Sequence, residues 1–311
     1  MRTEVIYENR SLYRDDFKIM GYVFGEGEKS VCIVGNMRGN EYQQLYACSQ
    51  LIQTLKRAEK EGRLAYGHQI LVIPSANPYS MNVGKRFWPI DNTDINRMFP
   101  GYMEGETTQR IAGGIFEKIS DYPYGIQFAS NYMPGEFMPY VNIMKTDLEY
   151  VELAKKFGMP YVVRRTPRPY DTTTLNYNWQ IWETRAFSLY TTTTDRINRD
   201  SARRGVEAVM MFLDAIGVVK NRKYKRYLSQ IIDDREIVSV RTTEAGFFEP
   251  LVETEEEVKK GQPLARILNP LDGEELECIS APVDGIVFFR HSDPLTYGHT
   301  AVIKLIAESS V

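Results

Sequence analysis

Residues 30–62 read SVCIVGNMRGNEYQQLYACSQLIQTLKRAEKEG, and residues 69–74 read QILVIP. The run at 30–35 is apolar at successive positions, the pattern of a central strand covered on both faces. A glycine-containing turn follows at once. From 41 to 61 the apolar residues Leu45, Cys48, Leu51, Ile52 and Leu55 recur at helical spacing, and Gly62 supplies a stop. The segment at 69–74 is a second buried strand. A strand, a helix and a strand in that order predict an α/β sheet.

Working outward, strands are expected at 4–6 and 17–24 on the amino-terminal side. Downstream, Thr107 and Thr108 are candidate caps for a helix over 107–119, with Ile111, Ile115, Phe116 and Ile119 facing inward. Strands follow at 124–128 and 140–144, then a helix over 147–157, strands at 161–164 and 186–191, and a helix over 200–216. Val206, Val209, Met210 and Leu213 form the buried stripe of that last helix. The alternation implies a sheet with helices on both faces. Residues 77–106 lack a period and hold several Gly and Pro, so they read as a long irregular loop of the kind that carries function on a regular scaffold.

After Gly217 the pattern changes. KNRKYKR at 220–226 reads as a solvated link, and Gly246, Gly261, Gly273, Gly285 and Gly298 punctuate a region of short strands without helical period. The expected organisation is an α/β domain over 1–222, then linker and a small all-β domain over 223–311.

Composition narrows the function class. The chain has 311 residues, is 43% hydrophobic and 25% charged, and carries a formal net charge of -3, so nothing in it resembles the basic footprint of a nucleic-acid binder. No apolar run approaches the roughly 18 residues of a membrane span, and residues 1–10 lack the core of a signal peptide, which predicts a cytoplasmic protein. Cys32, Cys48 and Cys278 are scattered and odd in number, which fits a reducing compartment; Cys32 and Cys48 read as small buried hydrophobes. The three histidines are His68, His291 and His299.

The loop at 77–101, NPYSMNVGKRFWPIDNTDINRMFPG, closely resembles a segment of the aspartoacylase and succinylglutamate desuccinylase family, in which Asn-Pro is followed by an arginine-bearing loop and Asp-Leu-Asn-Arg-x-Phe-Pro-Gly. Here that element runs from Asp94 to Gly101. The turn at 39–41 and the Arg-Arg-Gly-Val-Glu run at 203–207 keep the same register, and EVKKGQPLARI and SAPVDGIV are similar to the family's C-terminal domain. The resemblance implies a zinc carboxypeptidase-like mixed sheet flanked by helices, with a small barrel-sandwich-like C-terminal β domain. That domain is similar to biotin and lipoyl carrier modules, but Asn269, Pro270, Leu271, Asp272 and Gly273 stand where a carrier presents its lysine, so no attachment is expected.

Family chemistry is implied by the same resemblance. A His-x-x-Glu pair and a second histidine hold zinc, leaving one position for a water that the metal acidifies, and a glutamate serves as general base. In this chain the His-x-x-Glu position reads Arg38, Gly39, Asn40, Glu41; the second histidine position falls at Gln127 and the base at Tyr190. A guanidinium offers only donors and stays protonated, so Arg38 is no zinc ligand. Arg38 and Glu41 are either an ion pair at the former metal position or two exposed loop charges. Asn96 and Arg97, with Arg86, are the candidate ligand-binding residues for a carboxylate, unless the pair persists for loop architecture alone. Arg164, Arg165 and Arg168 are either a solvated cluster or a second approach to the ligand, and Thr191 to Thr194 read as a strand end.

Three readings follow. One is a family member without zinc hydrolase activity or cofactor, binding a small carboxylate such as an N-acyl amino acid, as a homo-oligomer or as the subunit of an active homologue. The alternative is a metal-dependent amide hydrolase with an altered ligand set. A third, structural role would leave the β domain as the only working surface.

Overall fold

The structure, a computed structural model, describes residues 1–11, 15–220 and 229–308. The quoted stretch folds as its pattern demands. β3 (Gly27–Asn36) leads through α1 (Tyr42–Lys60) to β4 (Gly67–Ser75), which lies parallel beside it. Preceding them are β1 (Arg2–Asn9) and β2 (Phe17–Phe24), an antiparallel pair whose β2 also pairs with β4.

α2 (Pro78–Asn82) and α3 (Thr107–Ile119) then lead to β5 (Tyr124–Ala129), which is parallel to β3 on the side away from β4. After a short strand β6 (Gly135–Phe137), which lies outside this sheet, β7 (Tyr140–Met144), α4 (Val151–Ala154), β8 (Tyr161–Arg165), α5 (Leu175–Ile181), β9 (Arg185–Tyr190) and α6 (Arg199–Ala215) complete the α/β part. Its sheet runs β1-β2-β4-β3-β5-β9-β7-β8. The connection after β3 leads to one side and those after β5 to the other, so the carboxyl ends of these two strands form a switch point, where α/β sheets bind ligands.

Strand alternation sorts the side chains onto two faces. Val31, Ile33, Ile126, Phe128, Phe187 and Leu189 join Leu51 and Leu55 of α1 and Val209 and Leu213 of α6 in one core. Cys32, Val34, Leu71 and Ile73 join Ile111 and Ile115 of α3 and Leu175 and Trp179 of α5 in the other. Cys48 is buried in the first core as expected, and Cys278 is exposed.

Several local expectations need correction. The loop at 77–106 contains α2, started by Pro78 in the first turn with Asn77 accepting from the Ser80 N–H at 3.2 Å, and a 3-10 turn at Ile95–Arg97. The first helical residues of α3 follow Glu106, not a threonine: the Gln109 side chain accepts from Glu106 N–H at 2.9 Å. The helix expected over 147–157 is shortened to α4 and a 3-10 turn at Lys155–Phe157, because Thr146 Oγ1 and carbonyl oxygen engage Leu148 and Glu149 in a turn. α5 and β6 were not legible.

The chain divides into two units, Met1–Ser130 with Pro139–Ser229, and Asn131–Met138 with Gln230–Val311. The expected boundary at 222/223 and most of the link at 220–226 lie outside the described residues. The simple split in sequence needs one correction, since 131–138 belongs to the second unit: β6 pairs there with β16 (Gly285–His291), Phe137 opposite Phe289. The second unit otherwise consists of β10 (Gln230–Asp233), β11 (Ile237–Arg241), β12 (Gly246–Pro250), β13 (Glu257–Val258), β14 (Pro263–Leu268), β15 (Glu275–Ser280), β16, β17 (Leu295–Thr296) and β18 (Ala301–Ala307). Two small antiparallel sheets, β11-β18-β16-β13 and β15-β14-β12-β17, enclose a core of Val258, Leu264, Ile267, Val287, Ile303 and Leu305. The hairpin where a carrier would present lysine ends in Leu271, which is 94% exposed.

Candidate functional site

β3 ends at Asn36, and the next five residues turn sharply into α1. Asn36 holds the turn by donating to the carbonyl oxygens of Arg38 at 2.6 Å and Glu41 at 3.3 Å. The turn passes so close to the 77–101 loop that a Cβ on Gly39 would stand 2.1 Å from the Lys85 carbonyl oxygen. Gly39 N–H donates to the Arg86 carbonyl oxygen at 2.9 Å. Backbone chemistry thus presses the turn and the loop together.

Arg38 and Glu41 are buried and paired, Arg38 Nη1 lying 2.9 Å from Glu41 Oε1. The other edge of the guanidinium, Nε and Nη2, reaches Asp94 Oδ2 at 3.0 and 2.8 Å. Burial works against the charged guanidinium, but Glu41 and Asp94 more than offset it, so its pKa is raised and it stays a cation. Glu41 has little left to offer. Its Oε2 accepts from the N–H groups of Met37 at 2.7 Å and Arg38 at 3.1 Å, and its Oε1 accepts from Arg38 Nη1 and Ser130 Oγ. A carboxylate has about four acceptor sites, and four donors occupy them.

The pairing continues beyond Asp94. Arg97 Nε is 4.0 Å from Asp94, Arg97 Nη1 is 3.7 Å from Asp171, and Asp171 receives Arg165 Nη2 on both oxygens at 3.0 Å. Glu41, Arg38, Asp94, Arg97, Asp171 and Arg165 therefore alternate in sign along one chain. Arg165 stands beside Tyr190 and Tyr140, whose rings stack at 4.6 Å. Burial pushes the Tyr190 hydroxyl above its ordinary pKa, with Arg165 and Arg38 opposing, and burial likewise raises Tyr140. Both phenols are neutral near pH 7, so Tyr190 offers no carboxylate base.

Of the candidate carboxylate binders, Asn96 is buried and its Oδ1 accepts from Leu175 N–H at 3.3 Å, tying the loop to α5. Arg97 donates through Nη1 to the Tyr170 carbonyl oxygen and stacks over the Tyr170 ring at 5.2 Å, yet its side chain is 31% exposed. Arg86 lies over Phe87 at 5.6 Å, with Nη1 3.4 Å from Asn40 Oδ1. The 164–168 cluster divides: Arg164 pairs with Glu149 at 2.7 Å, Arg165 joins the ion chain, and Arg168 donates to the Tyr170 hydroxyl at 2.7 Å. Thr191 is buried, 3.4 Å from the Gln44 side-chain nitrogen. His68 lies in β4 with Nδ1 2.9 Å from Ser30 Oγ, and His291 is in β16.

Sequence reasoning missed Ser130, Asp94 and Asp171 as parts of this site. Ser130 carried a signal, since it directly follows the carboxyl end of a parallel strand. Asp94 stood in the quoted motif without a role. Asp171 carried none.

Comparison with known proteins now places the chain. The succinylglutamate desuccinylase/aspartoacylase catalytic domain matches residues 27–216, and the chain belongs to that family. Among curated proteins, N-alpha-acetyl-L-2,4-diaminobutyric acid deacetylase of Halomonas elongata is 26% identical over 145 residues, 45% of this chain and 40% of the relative. The match thus spans well under half of that protein. Two solved structures share the fold. A succinylglutamate desuccinylase from Silicibacter sp. TM1040 has a TM-score of 0.80 at 19% identity, covering 96% of this chain and 91% of its own. The product-bound ectoine utilization protein EutE (DoeB) from Ruegeria pomeroyi has a TM-score of 0.76 at 21% identity, covering 94% and 91%.

The family is zinc-dependent, and the residues present here do not fit the metal. Arg38 supplies only donors, Glu41 is saturated, and Gln127 is a neutral amide on β5. Among the described residues no group of three or more His, Cys, Asp or Glu is placed to hold a metal. No helix among them is long and apolar enough to cross a membrane.

Proposed function

We propose that this chain is a family member without zinc hydrolase activity that binds a small carboxylate-bearing ligand of the N-acyl amino acid type, as a homo-oligomer or beside an active homologue. The observation that carries this reading is the filling of the Glu41 carboxylate by Arg38, Ser130 and two backbone N–H groups. A metal would have to displace a buried cation that Asp94 also holds. Arg97 supports the ligand class: its pairs at 3.7 and 4.0 Å are looser than charge-assisted hydrogen bonds, and an incoming carboxylate gains from its accessible edge. The curated relative's printed substrate makes N-alpha-acetyl-L-2,4-diaminobutyrate a first probe.

Metal content and amide cleavage, measured on protein purified without chelator, test the reading. The expected result is far less than one zinc per chain, no release of acid or amine, and binding that Arg97→Ala weakens by about tenfold or more. Stoichiometric zinc, lost together with hydrolysis in Glu41→Gln, would establish the altered-ligand hydrolase instead. Absence of binding by both forms would favour a structural role, and isolation with an active homologue would support the subunit arrangement.

A further inference from the structure

One row across the sheet is polar where its neighbours are apolar. Gln127 on β5 faces Ser188 on β9, and Ser188 faces Asn142 on β7, in direct lateral register. The residues flanking each of them along its strand, Ile126 and Phe128, Phe187 and Leu189, Val141 and Ile143, all point into the core beneath α1 and α6. Alternation therefore sends Gln127, Ser188 and Asn142 to the opposite face. Neighbouring strands lie about 4.8 Å apart, so the three side chains span roughly 10 Å. Only 4%, 3% and 3% of their surface is accessible, and their side-chain polar atoms are not among the described atoms that are wholly enclosed without a partner.

Amides and hydroxyls set this deep in a sheet need hydrogen-bond partners, and a polar group reaching their remaining accessible surface can supply them. Their place in the fold suggests one. One step along the strands towards the switch point, Tyr190 pairs with Ala129 and Tyr140, and Arg165 beside them joins through Asp171 to Arg97. In the other direction Trp179 closes the layer, its ring 2.7 Å from where a Cβ on Gly125 would stand. The row is thus bounded by an indole on one side and by the ion chain on the other. α5, which carries Trp179, also carries Asn176, whose amide is enclosed without a partner.

We infer that Gln127, Ser188 and Asn142 form a neutral hydrogen-bonding floor that receives the intact amide of the ligand whose carboxylate meets Arg97. The inference rests on the carboxylate-binding reading above. A charged group is poorly served at this row, because the row holds no counter-charge and desolvation of an ion is costly there. A secondary amide, with one acceptor and one donor, matches side chains that both donate and accept. The position that would hold zinc in a hydrolase then grips the bond that a hydrolase would cut.

The test compares N-alpha-acetyl-L-2,4-diaminobutyrate with an analogue whose acetamido group is replaced by propyl, using calorimetric titration of the full chain. Expected results are that Gln127→Leu, Ser188→Ala and Asn142→Leu each weaken the acetamide by about tenfold and leave the analogue unchanged, whereas Arg97→Ala weakens both. If Arg97→Ala weakens the acetamide and none of the three floor variants does, the row holds only water: the floor is refuted and the carboxylate reading stands. If neither compound binds the unaltered protein, both fall. Should a floor variant misfold, infrared spectra of the carbonyl-13C acetamide on unaltered protein decide. A single narrow band displaced from its position in water supports the floor, and an unshifted band refutes it.

Discussion

At the residue scale, Arg38 joins two carboxylates from distant parts of the chain. Glu41 comes from its own turn and Asp94 from the following loop, both within 2.9 Å of the guanidinium. Removing one partner of a buried pair strands the other, so Arg38→Ala should lose about 3–5 kcal/mol of stability, read from urea midpoints. Replacing all three together by Arg38→Met, Glu41→Gln and Asp94→Asn should lose much less, since the buried guanidinium and both its carboxylates go together, while Arg97, which Asp94 also faces, is partly exposed and keeps Asp171. An equal loss in both would show that the pairing is not what stabilises the turn. The i,i+3 spacing made the Arg38–Glu41 pair legible in sequence; the fact of burial, and Asp94 as the second partner, were not, because both depend on how the loop folds back.

His291 makes a second residue-scale case. It is buried in β16 against Phe248, ring centroids 5.4 Å apart, and burial lowers its pKa below 6.5, opposed by Asp293 and the Pro134 carbonyl. In the unfolded chain the imidazole takes up its proton at higher pH than in the folded one. Stability from this site is therefore complete above about pH 7 and declines as pH falls through 6.5 towards the lower folded value. Unfolding midpoints at pH 8.0 and 5.5 should fall further on acidification in the unaltered protein than in His291→Phe; equal falls would remove His291 as the cause.

At the element scale, α1, α3 and α6 were legible because their inward faces are apolar at helical spacing. Leu213 on α6 is fully buried, and Leu213→Ala should cost about 2–5 kcal/mol, measured by chemical denaturation. α5 escaped because Asn176, Asn178 and Gln180 lie buried beside Leu175 and Trp179, so burial does not follow hydrophobicity there. Gln180 is accommodated by donating to the Met144 carbonyl oxygen at 2.8 Å, and Asn178 by donating to those of Thr172 and Thr174 at 2.9 Å. The turn after β3 depends on a glycine for space. Gly39→Ala should force the turn away from Lys85, lowering both the thermal midpoint and affinity for N-alpha-acetyl-L-2,4-diaminobutyrate; unchanged values would show that the loop yields freely.

At the scale of the whole molecule, the local sequence determined the α/β character, the large helices, the change to short strands after Gly217 and the absence of zinc-binding histidines at the expected positions. Those follow from side-chain period and from donor chemistry, which are properties of short segments. Tertiary structure alone decided that residues 131–138 join the second unit, that Asp94, Asp171 and Arg165 extend the Arg38–Glu41 pair into a chain of alternating charge, and that Gln127, Ser188 and Asn142 lie side by side. Strand pairing sets such neighbours. It joins residues 127, 142 and 188 through backbone hydrogen bonds, which carry no side-chain signature for the sequence to display.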